Sequence, residues 1–105
     1  MIKLSLSGAM ETLSITSKDY ARLLENRTFD VGLYKPAGTD PQKPHVRDEI
    51  YVIASGLGDF TYEGKTEPFG VGDVFFVPAQ AEHRFANFSD NFSTWVIFFG
   101  AAGGT

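Results

Sequence analysis

Two histidines and one glutamate are the side chains in this sequence best suited to hold a metal ion. His45 and Glu49 lie four residues apart, and His83 is the only other histidine in the chain. A neutral imidazole and a carboxylate are good ligands for iron, manganese, nickel or zinc. Two histidines and one carboxylate also leave coordination positions open, as in non-haem iron oxygenases. Because the chain has no cysteine, a closed structural zinc site is disfavoured.

The elements that must position these residues have the pattern of short strands. Strand-like segments separated by turns rich in Gly, Pro and Asp run over 28–36, 49–55, 58–64, 71–79, 83–89 and 92–100. We expect the last two of them to form a hairpin. His45 and Glu49 have the same parity in an extended chain, so both could face one interior, where His83 could meet them from a facing strand. The pattern predicts an all-β fold, either a sandwich or a small antiparallel β-barrel, and closure into a barrel would remove exposed sheet edges.

One helix is predicted, over residues 17–26. Ser17 is a suitable N-cap, and Tyr20, Leu23 and Leu24 would share one helix face. A helix of about ten residues is marginal on its own, so it should pack against the sheet.

Composition restricts the partners and the location of the chain. The formal net charge is −4, and no basic cluster is present, which argues against nucleic acid and anionic membranes as partners. The absence of cysteine suits a reducing cytoplasm. The N-terminus is too polar for a secretory signal, and no segment approaches the roughly 20 apolar residues that span a bilayer, so we expect a cytoplasmic protein. The 10 phenylalanines predict an aromatic interior that could also wall a pocket.

The segment around His45 resembles the first motif of the cupin superfamily. That motif contains two histidines one residue apart, then a glutamate, then a glycine, and it is matched in register by His45, Glu49 and Gly56. The usual first histidine falls at Lys43, whose protonated ammonium group cannot ligate a metal. The adjacent Gln42 offers an amide oxygen and is a candidate fourth ligand, although simple alternation points it away from His45.

A second segment resembles the second cupin motif. Its glycine, proline, histidine and asparagine are matched by Gly72, Pro78, His83 and Asn87. The middle glycine of that motif falls at Gln80, a turn position where the change should cost little. Both motifs occur in order, and the resemblance covers about residues 29–99. It implies a jelly-roll barrel of the cupin type in one domain that spans residues 1–105.

The resemblance also implies one divalent transition metal ion, held by the two histidines and the glutamate named above, and a small organic ligand beside it. Tyr51 shares the parity of Glu49, and Phe85 shares that of His83, so both are predicted to line the pocket. Lys43 is either a surface residue or a cationic arm that recruits an anionic substrate. The alternative to a metal centre is a metal-free barrel in which Lys43 neutralises Glu49.

Resemblance to a fold family does not select one function. The leading hypothesis is a metalloenzyme of the dioxygenase class that acts on a small organic substrate. The alternatives are a non-redox isomerase, epimerase or polyketide-cyclase-like enzyme, and a non-catalytic protein that binds a small ligand. Catalytic residues are not identified, because the sequence offers no separate acid–base pair. We expect a homodimer, since a small barrel exposes sheet edges and residues 1–16 lack the apolar surface for a core of their own.

Overall fold

A computed structural model describes residues 1–16, 19–41 and 43–100 of the chain. Within them one short helix precedes eight strands. The elements in chain order are α1 (Leu6–Ser14), β1 (Tyr20–Glu25), β2 (Phe29–Tyr34), β3 (Asp48–Ser55), β4 (Gly58–Tyr62), β5 (Lys65–Phe69), β6 (Val74–Val77), β7 (His83–Ala86) and β8 (Ser93–Phe99). Every strand pairing is antiparallel, so the predicted all-β antiparallel fold with one short N-terminal helix is confirmed.

The strands form two sheets that face each other. One sheet has the order β1-β2-β8-β3-β6, and the other has the order β5-β4-β7. The main core lies between them and is largely aromatic. Among the described residues no strand pairing joins the two sheets, so they form a jelly-roll type sandwich rather than a cylinder closed by hydrogen bonds.

The helix predicted over residues 17–26 is wrong in the part that the structure describes. Residues Tyr20–Glu25 form β1, which pairs with β2 and has a register shift between Arg22 and Leu24. A helix of this length is marginal, and pairing with a neighbouring strand outweighs its local propensity. Ser17, the predicted N-cap, lies outside the described residues.

The actual helix, α1, lies earlier in the chain. Its N-cap is Ser5, whose hydroxyl oxygen accepts a hydrogen bond of 3.1 Å from the backbone N–H of Gly8. Ala9 and Leu13 of its apolar face are buried against Leu33 and other residues of β1 and β2. The helix therefore covers the outer face of the five-stranded sheet at the β1–β2 side.

The predicted hairpin between 83–89 and 92–100 is also wrong. Strand β7 pairs with β4, whereas β8 pairs with β2 and β3, so the turn between them crosses from one sheet to the other. The backbone N–H of Phe92 donates to the carbonyl of Ser89 within that turn. Local turn chemistry is the same for a hairpin and for such a crossing. The crossing places β7, with His83, opposite β3, with Glu49.

Candidate metal centre and adjoining cavity

Strand β3 carries the glutamate of the candidate centre into the interior. Glu49, Tyr51 and Ile53 alternate along the strand and are all buried. Strand β3 is hydrogen-bonded to β8 on one side and to β6 on the other, so the backbone of Glu49 is held from both sides. A side chain on a central strand has little freedom to move, which suits a residue that must keep a fixed position.

The two histidines meet Glu49 at one point. A nitrogen of His45, a carboxylate oxygen of Glu49 and a nitrogen of His83 all lie within 4.8 Å of one another. The Oε1 atom of Glu49 is 2.8 Å from Nε2 of His83 and 3.7 Å from Nε2 of His45. The structure thus brings together the three residues that the sequence analysis selected as metal ligands.

Two hydrogen bonds connect the segment from His45 to the start of β3 with the turn that precedes His83. The backbone N–H of Gln80 donates to the carbonyl of His45 at 2.7 Å, and the N–H of Ala79 donates to Oδ1 of Asp48 at 2.7 Å. Gln80 has a φ of 69°, in the left-handed region where glycine is favoured. This explains why the cupin motif has glycine at this position. A glutamine here adopts a strained backbone conformation, which costs about 1–2 kcal/mol of stability.

The orientation of His83 leaves one ring nitrogen for the site. Its Nδ1 donates to the carbonyl of Ala81 at 2.9 Å, because a carbonyl can only accept. In the neutral ring Nε2 then carries a lone pair, and it lies 3.0 Å from the hydroxyl of Tyr51. Burial lowers the pKa of His83, but the neighbouring Glu49 carboxylate and the Ala81 carbonyl outweigh it, so the pKa is raised overall.

The surroundings of Glu49 test whether these residues suit a metal ion. The side chain is 1% exposed, and neither carboxylate oxygen has a hydrogen-bond partner among the described residues. Nε2 of His83 lies 2.8 Å from Oε1 of Glu49, and it can donate to that oxygen only when the imidazole is protonated. A buried carboxylate is costly unless a cation, here either a protonated imidazole or a metal ion, compensates its charge. Two imidazoles and a carboxylate are ligands that divalent transition metals accept, so the residues fit such an ion.

A cavity of about 270 Å³ opens beside these side chains. His45 and Glu49 lie on its wall, and the rest of the wall is mostly aromatic. The lining residues are Tyr20, Tyr34, His45, Glu49, Tyr51, Val96 and Phe98. An apolar cavity with a few converging polar groups is typical of a site for a small organic molecule.

The predicted pocket residues occupy different places. Tyr51 lines the cavity, and its hydroxyl points at His83. Phe85 is buried behind Tyr51, with ring centroids 4.8 Å apart, and belongs to the packed core rather than to the cavity wall. Lys43 is exposed. Gln42, the candidate fourth ligand, lies outside the described residues.

Three residues near the site were missed by the sequence analysis. Tyr20 and Tyr34 line the cavity, and the hydroxyl of Tyr34 donates to Oδ1 of the buried Asp40. The other carboxylate oxygen of Asp40 accepts the backbone N–H of Phe85 at 2.8 Å, which ties the loop before His45 to β7. Burial, and then the bond to Asp40, raise the pKa of Tyr34. Alternation along β2 could have found Tyr34, which lies on the face opposite to Leu33.

A charged network lies next to the cavity. Arg47 donates to Oδ2 of Asp30 at 3.1 Å and to backbone carbonyls, including that of Gly100 at 3.0 Å. Arg22 lies 3.9 Å from the same Asp30 oxygen and also pairs with Glu25. Both arginines therefore have acidic partners and serve to hold the β1–β2 edge and the loop before β3.

Comparison with known proteins supports the same fold and family. The sequence matches the Cupin domain family over residues 31–99. It is 40% identical over 81 residues to the uncharacterised protein SCO3923 of Streptomyces coelicolor. The matched region covers 75% of this chain and 77% of that protein.

Two solved structures illustrate the likeness in fold. A cupin 2 conserved barrel domain protein from Salinispora arenicola has a TM-score of 0.67 at 23% identity, covering 81% of this chain and 77% of that one. A Ralstonia eutropha protein, provisionally named a mannose-6-phosphate isomerase, has a TM-score of 0.59 at 25% identity, covering 78% of this chain and 83% of that one.

No helix among the described residues has the length and apolar character needed to cross a bilayer.

The family match extends over most of the strands and includes all three residues of the candidate centre. This chain is a member of the cupin family.

Proposed function

We propose that His45, Glu49 and His83 hold one divalent transition metal ion, iron, manganese, nickel or zinc, and that the chain is a metalloenzyme acting on a small organic molecule. The observation that carries the proposal is the Glu49 carboxylate, buried to 1% exposure with neither oxygen hydrogen-bonded among the described residues. A cation shared with two imidazole nitrogens would compensate this charge.

The competing interpretation is a metal-free site. In that case a proton on Nε2 of His83 would compensate Glu49, and the raised pKa of His83 is compatible with such a pair. The metal interpretation has the additional support of His45, whose Nε2 lies 3.7 Å from the same Glu49 oxygen. A proton needs one nitrogen, whereas a metal ion uses several converging ligands.

Among enzymes, the dioxygenase class is our first choice. Two histidines and one carboxylate leave positions open, and a metal bound there would supply Lewis acidity and, if it is iron, dioxygen chemistry. The aromatic cavity beside the ligands would hold the substrate and exclude water. Tyr51 would orient what binds there, since its hydroxyl lies 3.0 Å from Nε2 of His83. Gln42 as fourth ligand and Lys43 as a recruiting cation stay predictions.

A non-redox isomerase, epimerase or cyclase is the second candidate. The Ralstonia eutropha protein with an isomerase name supports this class, because its fold matches most of this chain. In this class the metal would polarise a carbonyl group. A non-catalytic cupin that binds a small ligand is the third candidate, and the same cavity would serve it.

Metal analysis of purified protein tests the proposal. We expect about one transition metal ion per chain in the wild type, and loss of that metal in Glu49→Gln, which keeps the shape but removes the charge. The matched control is Glu82→Gln, since Glu82 is exposed beside His83 and should leave the metal content unchanged. A wild type that neither contains metal nor takes it up on reconstitution would favour the metal-free interpretation.

Oxygen consumption separates the enzyme classes. Protein loaded anaerobically with Fe(II) would be offered diketones, catechols and flavonols while dissolved oxygen is followed with an electrode. Substrate-dependent uptake that is absent in Glu49→Gln supports the dioxygenase. No uptake, together with tight retention of zinc, supports the isomerase or cyclase.

We also propose a cytoplasmic homodimer that binds no nucleic acid. Val74 and Phe76 of the edge strand β6 are 62% and 57% exposed on the outer sheet face that α1 does not cover. Pairing of this face or edge with a second copy would bury them. Light scattering should give a dimer mass at tens of micromolar for the wild type and a lower mass for Phe76→Lys. A monomeric wild type would overturn the proposal.

A further inference from the structure

His83 lies on a strand that has a strand partner on one side only. Strand β7 is at the end of the three-stranded sheet and pairs with β4, where Phe85 faces Phe60. Among the described residues, no strand pairs with its other edge. A strand held along one edge can shift more easily than a central strand such as β3, which carries Glu49. The separation of these two side chains therefore depends on what holds the free edge of β7.

Asp40 holds that free edge. Its Oδ2 atom accepts the backbone N–H of Phe85 at 2.8 Å. Asp40 is 4% exposed, whereas the other described residues between 37 and 44 are exposed. A carboxylate leaves water at low cost only where hydrogen bonds replace its hydration. Its other oxygen accepts from the hydroxyl of Tyr34 on β2, so this one side chain joins the two sheets.

The bond between Asp40 and Phe85 belongs to a series that brackets both histidines. Three hydrogen bonds of this series follow one another in antiparallel order, and their partners are Asp40 with Phe85, His45 with Gln80, and Asp48 with Ala79. His83 thus has two of these bonds before it in the sequence and one after it. Without the bond to Asp40, the series would hold β7 at its start alone, and the strand could pivot about the preceding turn.

We propose that Asp40 is a positioning residue of the candidate metal centre, and that its carboxylate keeps His83 at the distance from Glu49 that a shared metal ion needs. Phe85 and His83 are two residues apart on one short strand, so their side chains share a face and their backbones move together. The inference rests on the proposed function only in that the centre holds a metal ion. The positioning itself can be measured in the metal-free protein.

The first test measures the geometry of the metal-free protein by NMR. The rings of His45 and His83 have centroids 5.4 Å apart, which allows nuclear Overhauser effects between their ring protons. Asp40→Ala removes the acceptor, so we expect these ring effects to weaken. Exchange of the Phe85 amide proton should become about five- to tenfold faster, the effect of one lost hydrogen bond. Asp40→Asn keeps an oxygen that can accept from Phe85, so it should restore both signals.

Metal binding supplies the second test. Removing a group that orients metal ligands typically lowers metal affinity by about 10- to 100-fold. We expect Asp40→Ala to weaken Co(II) binding about tenfold and to shift the visible absorption bands of the bound ion, which report ligand geometry. Asp40→Asn should match wild type in both. The matched control is Asp73→Ala, because Asp73 also accepts a backbone N–H, from Gly70 at 2.9 Å, in a turn without candidate ligands.

Asp40→Leu replaces Asp40→Ala if the alanine variant does not fold, because leucine fills the space but accepts no hydrogen bond. Either variant overturns the proposal if it keeps the ring effects and the Co(II) spectrum of wild type. Failure of both to fold beside a folded Asp40→Asn also overturns it, because Asp40 would then stabilise the fold rather than position His83. A wild type that binds no metal, while its ring effects still depend on Asp40, contradicts only the proposed function.

Discussion

The two ends of the interior share one face of β3 but differ in what surrounds it. At one end Ile53 is packed among phenylalanine rings, and Phe69 and Phe92 lie 5.0 Å apart between centroids. At the other end Glu49 lies beside a cavity walled by rings that include Tyr20. Among the described residues, the buried side-chain atoms that lack a hydrogen-bond partner belong to Tyr20 and Glu49, at the open end. We therefore expect the packed end to contribute most of the stability, and the open end to serve the proposed binding.

Removing a buried ring from the packed end should cause the largest loss of stability. Phe92 is fully buried at 0% exposure, so Phe92→Ala should lower the free energy of unfolding by about 3–5 kcal/mol, measured by urea denaturation. The control Leu57→Ala removes a side chain that is 63% exposed and should cost far less. Equal losses for the two variants would mean that the interior is not close-packed at this end.

A smaller loss of stability is expected from overfilling the same end. Gly56 has a φ of 83°, and a Cβ there would lie 2.5 Å from the Cα atom of Phe92. Gly56→Ala should lower the free energy of unfolding by about 3 kcal/mol, from left-handed strain and overpacking together. Gly64 has the same φ of 83° but open space around it, so Gly64→Ala isolates the strain, about 1–2 kcal/mol. Matching melting temperatures for the two variants would rule out the packing contribution.

At the open end the expected loss concerns metal rather than folding. His83→Ala should weaken metal binding by about 100-fold or more, about 2.7 kcal/mol, while the circular dichroism spectrum stays that of a folded sheet protein. Arg84→Ala is the control, because Arg84 is the exposed neighbour on the same strand. If His83→Ala unfolds the chain, the imidazole is part of the stabilising core and the separation of the two ends fails.

The smallest effect is a dependence of metal affinity on pH. The pKa of His83 is raised in the metal-free protein, so a proton competes with the metal from a higher pH than it would at an ordinary histidine. Affinity should be highest above this pKa and fall by about tenfold per pH unit below it. Isothermal titration with zinc between pH 8 and pH 5 measures the slope. Affinity that does not change over this range would contradict a role for His83 as a ligand.

The parts of this molecule that the sequence predicted are those set by short-range spacing. The parity of Glu49 and Tyr51, and the motif positions of His45 and His83, predict that the candidate ligands converge, and the structure has one atom of each within 4.8 Å of the others. The local pattern predicts a helix for Tyr20, because that pattern does not contain the pairing of β1 with β2 that decides its structure. Asp40 lies in a loop, and its bond to the Phe85 backbone joins residues 45 positions apart in the sequence. No local pattern indicates such a contact.

Hydrogen exchange at the backbone amide of Gln80 should report local opening of the candidate centre. Its hydrogen bond to the carbonyl of His45 is one of the two that connect the segment from His45 to the start of β3 with the turn that precedes His83. Gln80 itself is exposed, so this bond rather than burial should slow the exchange of its proton with deuterated water. The exchange rate at this one position would then report how often the two histidine segments separate, without any probe attached to the metal or the ligand.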